Sequence, residues 1–337
     1  MKHMKFLSFF LGIAFAIIAC SSNNETIPAP EVDPDGDDGT TEVEFAKGAD
    51  IGWVTEYESK GYNFYNAKGE QRECTALMKE LGLDAIRIRV WVDPSKHGNW
   101  CNTADVVEKA KRAKELGMDV MIDFHYSDWW ADPAQQNKPA SWVGKNLVNL
   151  KSAIKDHTVS VLQALKEIGV IPKWVQVGNE IRPGMLWDED VALSGASYNV
   201  TEKDLKDALA SATDKVVYPM NWANLGAFVT TGYDAVKSVF PDAIVIVHLD
   251  NGWDSGLFTW FFDELKKNGG KWDMIGMSLY PYWSRDAKEG YSSADAVITD
   301  CISNIKALST KYNCDVMVVE TGMECADDNG KLASTSV

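Results

Sequence analysis

The sequence predicts an α/β fold: a parallel (β/α)8 barrel whose eighth strand is missing from this chain. Three observations predict it. From residue 46 onward, apolar strand-like runs alternate with amphipathic helix-like runs, the grammar of a parallel α/β protein. The strand-like runs are almost continuously apolar, as strands buried on both faces of a parallel sheet are. Finally, Asp50, Arg87, Arg89, His125, Asn179, Glu180, His248, Tyr280 and Glu320 lie in these runs or at their C-terminal ends. A barrel gathers those ends into one mouth, whereas an open sheet strings them along an edge. The length of 337 residues suits one such barrel of about 250 residues with a leader.

The leader comes first. Lys2, His3 and Lys5 precede an apolar run from Phe6 to Ala19, too short for the ~20 residues of a spanning helix and built like a signal peptide. It ends in Ile17-Ile18-Ala19-Cys20, which resembles a bacterial lipobox with Cys20 as the lipidated residue. A plain signal peptide with a chance cysteine is the alternative. Residues 21–45 carry eight acidic residues, three prolines and no Lys or Arg, the composition of a solvated tether. The domains expected are therefore a lipoprotein signal peptide over 1–20, an acidic flexible linker over 21–45 and a catalytic barrel over 46–337, truncated at its C-terminus.

Seven strands are expected in the barrel: Ala49 to Trp53, Ala85 to Trp91, Val120 to His125, Trp174 to Gly178, Ile244 to Leu249, Met274 to Tyr280 and Val316 to Glu320. The helices before the second, third and fourth end in Leu81-Gly82, Leu116-Gly117 and Ile168-Gly169, each glycine suited to a left-handed cap. Cys74, Leu77, Met78 and Leu81 space one apolar helical face, and Val106, Ala110 and Ala113 another. Only 17 residues follow Glu320, too few for a helix, a strand and a closing helix. Residues 181–232 form a long insertion between the fourth and fifth strands, where a barrel commonly builds its binding cleft.

Charge narrows the function. With 33 basic against 49 acidic residues the formal charge is -16, which opposes a nucleic-acid partner. The body alone keeps 41 acidic against 31 basic residues. Thirteen tryptophans point to an aromatic-lined site, since large exposed rings are costly unless something stacks on them. Trp91, Trp129, Trp130, Trp187, Trp253 and Trp283 follow strand ends and are candidates to meet a sugar face, with core or loop packing as the alternative for about half of them. Beyond Cys20 stand Cys74, Cys101, Cys301, Cys314 and Cys325. An odd number cannot all pair within one chain, and no CxxC spacing supports a zinc cage. No phosphate-binding loop or metal motif is present, so neither cofactor nor metal is expected. The sequon at Asn199-Val200-Thr201 is idle behind a bacterial leader.

The chemistry is expected at two carboxylates. Val175-Gln176-Val177-Gly178-Asn179-Glu180 and Met317-Val318-Val319-Glu320 are buried strands that end in a glutamate. Two such acids facing one mouth suit glycosidic cleavage, in which one stays protonated for the leaving oxygen and the other, ionised, faces the anomeric carbon. His125 and His248 either hold these groups or sugar hydroxyls, or serve as satisfied structural histidines. Asp128 and Asp132 either line the cleft or cap loops.

These residues carry a resemblance. The Asn-Glu ending strand four and the Glu ending strand seven resemble the clan A glycoside hydrolases. Gly48-Ala49-Asp50-Ile51-Gly52-Trp53, Ile86-Arg87-Ile88-Arg89-Val90-Trp91, Asp123-Phe124-His125-Tyr126-Ser127-Asp128 with Trp130-Ala131-Asp132-Pro133, and His248-Leu249-Asp250-Asn251-Gly252 are similar to family 53, the arabinogalactan endo-β-1,4-galactanases. The resemblance covers residues 47 to about 322, in order at successive strand ends. It implies retaining hydrolysis of the β-1,4-galactan of type I arabinogalactan; taken with the lipobox-like leader, the expectation is an exported monomer whose only membrane contact is a lipid anchor at Cys20 on the outer membrane or cell surface. It further implies Glu180 as acid/base, Glu320 as nucleophile, Asn179 on the sugar 2-hydroxyl, Tyr280 donating to the nucleophile and Arg87 or Arg89 supporting it. Asp50, His125, His248, Trp91, Asp128 and Trp130 are the further substrate-binding candidates. A mannanase or cellulase of the same clan, or a non-catalytic glycan-binding lipoprotein, are the alternatives.

Overall fold

The computed structural model describes residues 45–187, 221–281 and 293–322. The leader, the tether, most of the insertion before the fifth helix, Trp283 and Cys325 lie outside the described residues. Contacts divide the chain into the barrel, Lys47–Thr321, and a remainder of Met1–Ala46 with Gly322–Val337, of which residues 45, 46 and 322 are described.

Seven parallel strands make one sheet in chain order: β1 Gly48–Asp50, β2 Ala85–Val90, β3 Asp119–Phe124, β4 Trp174–Val177, β5 Ile244–Leu249, β6 Met274–Leu279 and β7 Asp315–Thr321. Between them run α1 Val54–Ser59, α2 Cys74–Glu80, α3 Thr103–Glu115, α4 Leu147–Glu167, α5 Trp222–Val239, α6 Ser255–Lys267 and α7 Ala294–Tyr312. A short hairpin, Phe64–Tyr65 against Gln71–Arg72, links α1 to α2.

The helices start where side chains satisfy their first amides. Glu73, Asn102, Asn146, Asn221, Asp254 and Ser293 each accept from the backbone N–H three residues on, the N-cap bond that removes an orphan donor. They stop where the sequence predicts: Gly82, Gly117 and Gly169 have φ of 87°, 62° and 68°, left-handed values that glycine adopts without strain. The buried stripes are also as predicted, with Val106, Ala110 and Ala113 fully buried on α3. Leu81 differs. The helix ends at Glu80, so Leu81 leaves the helical phase and is 45% exposed.

Several strands end sooner than the apolar runs do. Val54 N–H bonds Ile51 O at 2.9 Å, so the chain turns into α1 directly after Asp50 and Ile51–Trp53 belong to the turn. His125 and Tyr280 likewise stand one residue past their strands, where side chains face the mouth of the barrel.

The sheet curls. Adjacent strands sit about 4.8 Å apart, so a flat sheet would set β1 and β7 roughly 29 Å from one another. Yet the Arg87 guanidinium on β2 lies 2.9 Å from Asp50 of β1 and 3.3 Å from Glu320 of β7. No eighth strand occurs among the described residues, and the two edge strands show it: β1 and β7 are half-buried or exposed along their lengths, whereas β2, inside the sheet, is buried throughout.

Candidate active site

Arg87 organises the mouth of the barrel. Besides Asp50 and Glu320, its guanidinium lies 2.9 Å from Asp123 of β3 and donates to Asn179 Oδ1 at 2.9 Å and Gln176 Oε1 at 3.3 Å. One cation on β2 thus ties together side chains from four other strands. Burial opposes its charge, but Asp123, Glu320 and Asp50 outweigh that and hold its proton more firmly than usual. Asp50 reports the same field from the other side: burial pushes its carboxyl up, and the Arg89 and Arg87 guanidiniums overcome this and hold it below the usual carboxylate range.

The two glutamates meet here. A carboxylate oxygen of Glu180, a ring nitrogen of His248 and a carboxylate oxygen of Glu320 all lie within 4.8 Å of one another. Glu180 reaches this place through unusual backbone. Gly178 turns at φ 81° and Glu180 itself sits in the left-handed region at φ 49°, a conformation a non-glycine residue adopts at a cost and one that recurs at functional sites. A Cβ on Gly178 would come within 2.6 Å of Ile181, so that position admits only glycine without rearrangement.

Their environments differ. Burial, the charge of Glu320 and that of Asp250 together raise the Glu180 carboxyl well above its ordinary value. Glu320 instead faces donors: Tyr280 Oη–H bonds its Oε1 at 2.5 Å and Arg87 lies beside Oε2. Paired carboxyls in such unlike surroundings can take different chemical roles.

Asn179 is fixed by its neighbours. Its Nδ2 donates to Ala131 O at 2.8 Å, while Oδ1 accepts from Arg87, Gln176 and His248. What it still offers a ligand is its second amide hydrogen.

Both histidines have partners on each ring nitrogen. His125 Nε2 lies 2.9 Å from Asp123 Oδ2, and Ala131 N–H donates to its Nδ1. His248 Nδ1 lies 3.0 Å from Asn179 Oδ1 and its Nε2 2.8 Å from Ser278 Oγ. Occupied in this way, His248 has no lone pair left for a metal ion between the two glutamates.

The aromatic candidates separate. Trp91, Trp187 and Trp253 are buried. Trp129 and Trp130 are 37% and 40% exposed, with Trp91 packed beneath both and the Arg89 guanidinium 4.1 Å from the Trp130 ring. Asp128 ties loops together, accepting from Asp93 N–H and Ala140 N–H, one on each oxygen. Asp132 accepts from the backbone of Ala134 and Gln135. Among the described residues Cys74, Cys101, Cys301 and Cys314 are unpaired.

The structure adds Ser278, Asp123, Gln176 and the pair Arg182–Asp250 to the site. Arg182 grips Asp250 with Nε at 2.8 Å and Nη2 at 2.9 Å. Strand alternation could have signalled Asp123, two residues before His125 and so on the same face. Nothing local marks Ser278 in its run.

The comparisons agree with this geometry. The family model of glycosyl hydrolase family 53 matches residues 46–336. A Niallia circulans protein is 36% identical over 83% of the chain and 68% of its own length. An arabinogalactan endo-β-1,4-galactanase of Thermothelomyces thermophilus is 30% identical over 86% of the chain and 77% of its own. Among solved structures, one of two fungal β-1,4-galactanases superposes with a TM-score of 0.69 at 29% identity, covering 86% of this chain and 77% of that one. The catalytic domain of an Ignisphaera aggregans family member gives 0.68 at 29%, covering 85% and 71%. With two unlike carboxyls in one barrel mouth and a family match across the barrel, the chain belongs to glycosyl hydrolase family 53 and is a glycoside hydrolase.

Proposed function

We propose that the protein is an endo-β-1,4-galactanase acting on the galactan of type I arabinogalactan, with Glu180 as acid/base and Glu320 as nucleophile. The observation that carries this reading is the close approach of the two carboxyls, one oxygen of each lying within 4.8 Å of the other. Retaining glycosidases hold theirs about 5 to 5.5 Å apart, whereas inverting enzymes need roughly 6.5 to 9.5 Å to admit a water. A direct attack by one carboxylate fits the spacing here.

The roles follow from the surroundings. Glu180, its carboxyl raised by burial and by Glu320 and Asp250, holds a proton for the departing oxygen. Glu320, lined by Tyr280 and Arg87, attacks the anomeric carbon as that bond breaks, forming a galactosyl ester. Water, deprotonated by the now ionised Glu180, then opens the ester and restores both groups. Positive charge builds on the sugar in the oxocarbenium-like transition state of each step, where the free hydrogen of Asn179 would meet the 2-hydroxyl and strengthen its bond. Trp129 and Trp130 offer ring faces to the C–H face of galactose units further along the chain.

Substrate choice rests on the named relatives, and a direct comparison tests it. Release of reducing ends from pectic β-1,4-galactan should exceed that from β-mannan and soluble cellulose by at least about a hundredfold, since a site built for one arrangement of hydroxyls leaves buried polar groups unpaired with another. Equal or faster release from mannan or cellulose would reassign the enzyme within its clan.

A further inference from the structure

The hydrogen bonds behind Glu180 permit a count of protons, and the count has one solution. Asn179 Oδ1 can only accept, because its Nδ2 is held by Ala131 O while Arg87 and Gln176 already donate to the oxygen. His248 Nδ1, 3.0 Å from that oxygen, must therefore carry a hydrogen. The ring is fully buried and its two partners, an amide and a hydroxyl, carry no charge that would hold a second proton; burial first, then the nearby Arg87 and His125, hold it well below its usual value, so it is neutral and its Nε2 is bare. The neighbour of Nε2 is Ser278 Oγ at 2.8 Å, which must supply the hydrogen. A hydroxyl has only one. The remaining contact of Ser278, 2.6 Å from Glu180 Oε1, must then be filled by a hydrogen from Glu180.

We propose that His248 and Ser278 are positioning residues that hold Glu180 in its acid form, because the chain Glu180–Ser278–His248–Asn179 is fully bonded only when Glu180 is a carboxylic acid. The inference rests on the reading of Glu180 as the acid and deepens it. The glutamate proton is stored against Ser278. A half-turn of the carboxyl about its last side-chain bond, a soft torsion, presents it to the glycosidic oxygen. As that oxygen takes the proton and leaves, the Ser278 hydrogen serves either the new carboxylate or His248 Nε2, and one of the two buried acceptors goes without. The proton that water returns in the second step restores the lost bond. Leaving a buried acceptor unpaired is unfavourable, so His248 adds to the proton affinity of Glu180, acting through Ser278 without touching substrate. Among the described residues, the charged and titratable groups facing this chain are Glu320 from β7, Asp250 after β5, Asp132 after β3 and Tyr280 after β6, toward Glu180, and Arg87 from β2 and His125 after β3, toward His248.

Two measurements test it. In the unaltered protein, labelled with 15N-histidine, the ring of His248 should show the neutral Nδ1–H form throughout the pH range of activity, an assignment eased by only five histidines in the chain. The Nε2–H form or an imidazolium would overturn the proposal. The second is a double-mutant cycle on the alkaline limb of kcat/KM. His248→Leu should move that limb about one pH unit toward acid, the shift worth one hydrogen bond, whereas in a Ser278→Ala background the same change should leave it within about 0.3 of a unit. No shift in the first case, or equal shifts in both, would contradict the relay. The leaving-group behaviour of Glu180→Gln, described below, keeps the two claims apart: if it holds while the tautomer is wrong, only the relay falls, and if it fails, the acid assignment falls with it.

Discussion

Replacing Glu320 with alanine is expected to lower kcat on galactan by at least about a thousandfold while leaving the melting temperature within a few degrees of the parent. On the proposed roles the loss is large, because no other group can take the place of an attacking carboxylate. Folding should survive because Arg87, the buried cation on which Glu320 leans, keeps Asp50 and Asp123 at 2.9 Å each. No charge is orphaned, and an orphaned buried charge is what makes the loss of an ion-pair partner costly. Initial rates with a melt on the same sample check both halves. Residual activity above about a hundredth of the parent would place the nucleophile elsewhere, since that is less than a catalytic carboxyl ordinarily contributes.

Glu180→Gln is the second large effect, and its signature is selectivity. Glutamine keeps the shape of the protonated acid but cannot release a proton, so galactan, with its basic departing alkoxide, should lose about 10² to 10⁴ in rate. An aryl galactoside whose phenolate departs unaided should keep most of its first step and then stall, because the variant also lacks the base for the second. A burst of phenol followed by a slow phase is the expected trace. The pH profile supplies the sign: a raised Glu180 carboxyl, lifted by burial and by Glu320 and Asp250, is active while protonated, so the parent loses activity as pH rises through that value. The variant should lack this alkaline limb on the aryl substrate. Equal losses on both substrates would remove Glu180 from the acid's role.

Much of this site was legible before any coordinates. The polar residues at strand ends were visible as interruptions of apolar runs, and Gly82, Gly117 and Gly169 marked where helices stop. Such features are local, and local chemistry decides them. What sequence could not supply was pairing across strands. That Arg87 rather than Arg89 sits between Asp50, Asp123 and Glu320 depends on barrel curvature, because only closure brings β2 near β7. Asp128 reads like any polar residue near a strand end, yet its oxygens are taken by the amides of Asp93 and Ala140, distant in sequence. Ser278 is an ordinary small residue within a strand until Glu180, 98 positions earlier, is folded against it. The left-handed turn at Glu180 is likewise invisible, since no propensity favours glutamate there and the surrounding fold imposes it.

The central claim is that one carboxylate attacks the sugar and becomes part of an ester. A 2-deoxy-2-fluoro-galactoside with an activated leaving group tests it most directly, because the fluorine slows both formation and breakdown of the ester while the good leaving group restores the rate of formation alone. After reaction, digestion and mass spectrometry should find one fluorogalactosyl group per chain on the peptide containing Glu320, with none on the Glu320→Ala variant. Label on Glu180 or another residue, or turnover without label and with inverted configuration of the product, would contradict the account.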